Sequence, residues 1–200
     1  MIVKKYLTHN GNLIQRGEYK FVYRNYDKPA PLFPSVQIGN QIWMSENLQV
    51  NDGDTGIKTV QSVIANGYEF GPQTYYSYDA AVRVANSIQG WHLPTLAEWN
   101  ELRTYFNSQA SNARSTTGWD NDQNGTNTLG LNIQPVGRFN NINSPTQLVS
   151  LGSEANLWCY NVDNPSKGKG VSFYNWGINN WGLGWGNTHG SSVRLIKDNE

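Results

Sequence analysis

Residues 173–187 read FYNWGINNWGLGWGN, with Trp-Gly at 176–177, 181–182 and 185–186, and this stretch limits the regular structure the C-terminal third can adopt. Spacings of five and then four residues match neither the alternation of a half-buried strand nor an amphipathic helix, and the glycines weaken both. The stretch therefore predicts a loop-rich surface holding three of the chain's eight tryptophans. Rigid rings set among small, adaptable polar residues have the composition of a binding surface. Core filling is the competing reading, because Trp is usually highly buried. It accounts for Trp43, Trp91 and Trp99, and for one or two of Trp176, Trp181 and Trp185.

Two hundred residues suit one domain with a small addition. Fifteen basic and fifteen acidic residues cancel, and no basic run stands out, which argues against nucleic acid, whose binding rests on Lys and Arg neutralising phosphates. The single cysteine, Cys159, excludes an internal disulfide. No apolar run approaches the ~20 residues that span a bilayer, so membrane insertion is not expected. Lys4 and Lys5 precede Tyr, Leu and polar residues rather than an apolar signal core, so synthesis without a signal peptide, in the cytoplasm, is expected.

In chain order, residues 1–26 read as a β-arm. Val3–Leu7 and Leu13–Gln15 flank Asn10-Gly11, a tight-turn pair, and Tyr19, Phe21 and Tyr23 alternate along a further strand. With so little core the arm, residues 1–28, must pack on something else, as an attachment or oligomerisation element. Pro29, Pro31 and Pro34 mark a linker over 29–34, and the main domain runs from 35 to 200. It opens with a hairpin, Val36–Ile38 and Gln41–Trp43 around Gly39-Asn40. Residues 45–71 read mostly as loop. Ala81, Val84, Ala85 and Ile88 predict a helix over 78–88. Thr95 and Glu98 form a capping box for a second, with Leu96, Trp99, Leu102 and Phe106 as its buried stripe. Short strands are expected at 131–133, 157–160 and 192–196.

Three motifs carry a resemblance. Ile38 to Leu48 reads IGNQIWMSENL, Gly90 to Leu102 reads GWHLPTLAEWNEL, and Ser192 to Asp198 reads SVRLIKD. From about Val36 to Asp198 the chain resembles the Fibrobacter succinogenes major paralogous domain. That family is similar to the C-type lectin-like fold, an α+β architecture of two helices, small antiparallel sheets and long loops. The fold also occurs in formylglycine-generating enzymes and in retroelement-diversified receptor-binding proteins. The family commonly has Cys three residues before Gly90 and again after Arg194, where this chain has Ser87 and Leu195. Their joint absence fits a phage component assembled in reducing cytosol better than a secreted adhesin.

The resemblance implies that the last segment before the closing strand displays the ligand surface. The expected face comprises Ser172, Tyr174, Trp176, Trp181, Trp185 and His189, with Tyr160, Asn161 and Asp163 beside them. By the same resemblance, Asn175, Ile178, Asn179, Asn180, Leu183, Gly184 and Asn187 look like the substitutable positions of a diversified protein. An ordinary Asn-rich loop is the open alternative.

Asp120, Asp122 and Asn124 begin like a calcium loop, but Leu131 stands where the closing carboxylate belongs, so a turn is the preferred reading and no metal is expected. His9, His92 and His189 are too scattered for a metal motif, and His92 is expected to make a buried hydrogen bond. Cys159 reads as a small buried residue, and Glu46, Glu98 and Glu154 define no acid–base pair. The expectation is a non-enzyme without cofactors. Its partner would be a host or neighbouring-cell surface protein or glycan, and the arm would contact a virion or a second copy. A phage tail or fibre receptor-binding protein and a bacterial cell-surface lectin are the two functions this leaves.

Overall fold

The computed structural model describes residues 2–9, 12–20, 33–106, 109–144, 147–174, 176–182 and 188–198. Strands β1 (Ile2–His9) and β2 (Asn12–Lys20) pair antiparallel, with His9 opposite Asn12 and Ile2 opposite Lys20. They form a sheet of their own. Tyr19 belongs to β2, opposite Val3, instead of opening a further strand, because pairing extends to the start of β1. The turn pair Asn10-Gly11, Phe21, Tyr23, and the linker residues Pro29 and Pro31 lie outside the described residues.

The main domain begins with β3 (Ser35–Ile38) and β4 (Gln41–Met44), joined as expected by two residues, with Gly39 at φ +59°. Residues 45–71 hold more structure than the loop expected there: β5 (Ile57–Val60), β6 (Ile64–Ala65) and β7 (Tyr68–Glu69). β5 pairs with β8 (Gln73–Tyr76), and β6 pairs with β7. Strands of two to four residues are too short to establish a period. The turn between β6 and β7 does carry a signal: Asn66 and Gly67 both sit at positive φ, 45° and 78°, as a tight hairpin requires.

Helix α1 (Tyr78–Ser87) starts where the Ser77 side chain accepts from the Ala80 amide, and it buries Ala81, Val84 and Ala85. After β9 (Trp91–His92), helix α2 (Leu96–Thr104) carries the complete capping box, with the Thr95 amide donating to Glu98 Oε2 at 2.7 Å. Trp99 and Leu102 are buried, as is Phe106 just beyond the helix. The remaining strands are β10 (Arg138–Phe139), β11 (Leu148–Val149), β12 (Glu154–Cys159), β13 (Lys169–Tyr174), β14 (Gly177–Gly182) and β15 (Ile196–Lys197).

Two sheets organise the domain. β3-β4-β15-β9 joins the two ends of the domain in one four-stranded sheet, and β12-β13-β14 forms an antiparallel three-stranded sheet. The strand expected at 131–133 reduces to a single bridge between Arg114 and Ile133. The one expected at 192–196 shortens to Ile196–Lys197, because each preceding backbone group finds a separate partner: Leu48 N donates to Val193 O, Met44 N to Leu195 O and Trp158 N to Ser192 O. The largest correction falls on the Trp-Gly stretch, where β13 ends and β14 runs through residues 177–182. Among the described side chains of this outer strand Ile178 alone packs on the core, and Trp176 sits in the turn, so tryptophan spacing was the wrong ruler.

One core cluster fills the space between α2 and the three-stranded sheet. In it the Trp43 and Trp99 rings lie 4.5 Å apart, and Phe173 lies 6.0 Å from Trp99. A second cluster holds α1, Trp91 and Trp158, with Tyr78 at 5.5 Å from Trp158. β12 serves both, since Leu157 and Cys159 join the first cluster and Trp158 the second. Trp43, Trp91 and Trp99 are therefore core, as expected. Among the described residues no helix is long and apolar enough to cross a membrane.

Candidate ligand-binding face

The turn end of the β13–β14 hairpin is the most distinctive surface of the domain. Tyr174 lies opposite Gly177, and the Tyr174 and Trp176 rings stack almost parallel, at 4.8 Å and 10°. Trp176 is nevertheless 69% exposed. Along β14, Ile178 packs against the first core cluster, Asn180 is exposed on the same face of the strand, and Asn179 is exposed on the opposite one. Arg103, in the last turn of α2, donates to Asn180 Oδ1 at 2.8 Å and to the Ile178 carbonyl at 3.3 Å, fastening helix to strand.

Beside this turn lies a groove of about 520 Å³, lined by Arg103, Gln109, Ser111, Arg114, Gln123 and Trp176 among others. Arg114 is only 5% exposed. It donates from Nη1 to the Tyr174 carbonyl at 2.7 Å, and its guanidinium lies over the Trp119 ring at 4.9 Å. Its Nε is buried without a hydrogen-bond partner, and among the described residues no carboxylate pairs with it. Burial pulls its pKa below the ordinary arginine value.

The structure divides the residues expected at a ligand face. Tyr174, Trp176, Ile178 and Asn180 gather at the turn and groove, with Asn179 exposed on the other side of β14. Asp163 is exposed and pairs with Lys169 at 2.5 Å, at the opposite end of β13 from Tyr174. Tyr160 is half-buried, its amide donating to the Pro94 carbonyl. His189 is half-buried next to Gly190, which pairs with Phe139.

Asn161 and Ser172 lie inside the protein, so their side chains do not reach the surface on which they were expected. Asn161 donates to the Lys167 carbonyl and accepts from the Asn164 amide, holding the loop before β13, and Ser172 bonds to Asn156 within the sheet. Trp181 pairs in register with Gly170, its side chain being outside the description, and Asn175, Leu183, Gly184, Trp185 and Asn187 lie outside the described residues. Arg103, Gln109, Arg114 and Gln123 were missed. They come from α2 and the irregular segment after it, and only folding brings them to the hairpin.

Asp120–Asp122 form one turn of 3-10 helix, with Asn121 and Asp122 at positive φ, 56° and 57°. Asn124 Oδ1 accepts from the Trp119 amide at 3.0 Å, so the calcium-like sequence is built as a turn. Among the described residues no group of three or more His, Cys, Asp or Glu side chains could hold a metal ion.

His92 differs from its expected buried hydrogen bond. It is half-exposed, with Nε2 2.8 Å from Glu98 Oε1 and Nδ1 2.6 Å from Asp198 Oδ1. A neutral imidazole carries one N–H, so donating to both carboxylates requires the charged ring. The hydrogen bond to Glu98 raises the His92 pKa most, Asp198 adds to it, and partial burial opposes both. Burial pushes Glu98 up, but hydrogen bonds from His92 and Thr95 outweigh it and hold the carboxyl below its ordinary value. The trio ties β9, α2 and the residue after β15 together. Cys159 is fully buried, which pushes its thiol pKa well up and disfavours the thiolate.

Neither a curated protein nor a solved structure matches this chain. The motifs read from the sequence are placed as parts of the scaffold: Trp43 and Trp99 stack in the core, Glu98 caps α2, and Arg194 is buried beneath the four-stranded sheet's connections. The Fibrobacter succinogenes major domain model matches residues 36–197, and the chain therefore belongs to that family.

Proposed function

We propose that this protein is a non-enzymatic ligand-binding protein that works as the receptor-binding component of a phage tail or fibre. Its binding face would be the turn end of the β13–β14 hairpin. The observation that carries this reading is the ring of Trp176, 69% exposed yet held flat against Tyr174. A large aromatic fixed in place before a partner arrives loses little entropy on binding, and such rings dominate binding energy. Two helices, a sheet joining the first and last strands of the domain, and a late sheet on the ligand side accord with a C-type lectin-like fold. Asn179 and Asn180 are exposed on the outer strand, as substitutable positions would be, and this placement supports retroelement diversification of the segment. The separate β1–β2 sheet suits attachment to the particle or to a second copy.

Genomic context tests the assignment. A neighbouring reverse transcriptase, with an imperfect repeat of the codons for residues 158–198, or tail genes alongside, is the expected result. A cell-surface lectin is the second reading, favoured by the flat exposed ring of Trp176 beside neutral amides, a surface suited to sugar. Signal-bearing adhesin genes around an unrepeated locus would select it. Removing residues 1–28 should leave a domain that still melts cooperatively, and aggregation of the truncated chain would refute the separate role of the arm.

A further inference from the structure

A buried guanidinium is stable when its N–H groups are satisfied and its charge is offset, and costly otherwise. Arg194, 1% exposed, meets the first condition within the protein: Nε donates to Asn47 Oδ1, Nη1 to the carbonyls of Met44 and Leu131, and Nη2 to that of Asn132. Arg114, nearly as buried, has one carbonyl acceptor and a ring, and its Nε has no partner. Unlike Arg194, it lines a groove. A second guanidinium, Arg103, lies along the same groove, and no Asp or Glu is among its lining residues. The groove is thus lined by two guanidiniums and by no carboxylate.

The other lining groups narrow the occupant. Trp176 offers a flat apolar ring face, and Gln109, Ser111 and Gln123 supply neutral donors and acceptors of the kind that bond hydroxyls. The volume, about 520 Å³, lies within the range of small-ligand sites. A planar carboxylate matches the fork of an arginine, and a sugar ring presents a C–H face to an aromatic and hydroxyls at its edge.

We propose that this groove binds a carboxylate-bearing saccharide, a uronic or sialic acid unit, with its carboxylate on Arg114 and Arg103 and its ring against Trp176. The proposal rests on reading the hairpin end as the binding face, and it adds the chemical class of the ligand. An acidic peptide would also use the guanidiniums; the flat exposed face of Trp176 favours the planar C–H face of a sugar ring, and the test separates the two.

The test applies the full chain to an array of uronic and sialic acid saccharides, each beside its carboxyl-reduced counterpart, together with acidic peptides. The expected result is binding to at least one acidic saccharide tenfold or more tighter than to its reduced form. That preference should disappear in Arg114→Met and weaken in Arg103→Gln, the latter lying nearer the surface and guarding against a folding defect at Arg114. Equal binding to reduced forms overturns the proposal, as does binding only to acidic peptides, no binding to any acidic saccharide, or an acid preference unchanged in both variants. Trp176→Ala separates the two levels. If it abolishes binding that ignores the carboxylate, the hairpin face stands and the ligand class falls; if it leaves saccharide binding intact, both fall.

Discussion

Arg194 donates four hydrogen bonds to groups within its own domain, whereas Arg114, almost as deeply buried, donates one and leaves its Nε without a partner. The surroundings differ in the same way. Around Arg194 the closing segment 192–196 is buried throughout, and the backbone of β4 is tied to it. Around Arg114 the chain offers an open groove and an exposed tryptophan. The Arg194 site is complete by itself. The Arg114 site holds polar capacity that the described residues leave unused, and this difference is what supports the proposed binding face.

The largest expected effects lie in the interior. Arg194→Met strands the acceptors of Asn47, Met44, Leu131 and Asn132 in the interior, which should cost ~3 kcal/mol or more. At this chain length that corresponds to a Tm lower by roughly 10 °C. Trp99→Ala, which opens a cavity against Trp43 and Phe173, should cost about 3–5 kcal/mol. Arg114→Met should behave differently. It gives up the bond to Tyr174 but also removes a desolvated charge, so stability should change by no more than about 1 kcal/mol. Equal losses for the two arginines in urea melts would erase the distinction between them.

A smaller effect concerns the clasp that closes the terminal sheet. The folded His92 pKa is raised, so its contribution is full below the unfolded value of about 6.5 and is lost as pH rises through the folded value. Glu98 is held low, so its contribution is present above about pH 4.3 and is lost as pH falls through its folded value. Stability should therefore peak between about pH 5 and 6 and decline on the alkaline side. His92 is more than a third exposed, so solvent screening keeps the decline modest. His92→Gln should flatten the alkaline limb, and an unchanged limb in the variant would show that another group causes it.

The contrast between the two arginine sites also bears on what the sequence revealed. The capping box of Thr95 and Glu98, the stripe of α1 and the Gly39 hairpin turn are local signals, set by residues within a few positions, and each appears where it was read. The hairpin β13–β14 was hidden, because its outer strand is broken by glycines and asparagines that carry no apolar period, and its tryptophans draw attention to the wrong spacing. The groove was hidden for another reason. Arg103 and Arg114 are eleven positions apart and sixty or more from Tyr174 and Trp176, so nothing local links them. Composition alone singled out Trp176, which the structure places exposed in the turn. Asn161 and Ser172 were misplaced because a polar residue in a loop or strand reads as exposed, while here each is consumed by neighbouring hydrogen bonds.

The smallest expected stability change belongs to the surface on which the functional reading depends. A triple variant, Trp176→Ala with Asn179→Ala and Asn180→Ala, removes exposed groups whose only described structural tie is the Arg103 bond to Asn180 and the ring stack on Tyr174. Thermal melts paired with saccharide and host-surface binding of this variant test the account most directly. The expected result is a Tm within a few degrees of the parent, with stability changed by about 1 kcal/mol at most, together with a loss of ~2 kcal/mol or more in affinity. A Tm depressed as far as that of Trp99→Ala, or binding equal to the parent's, would contradict it.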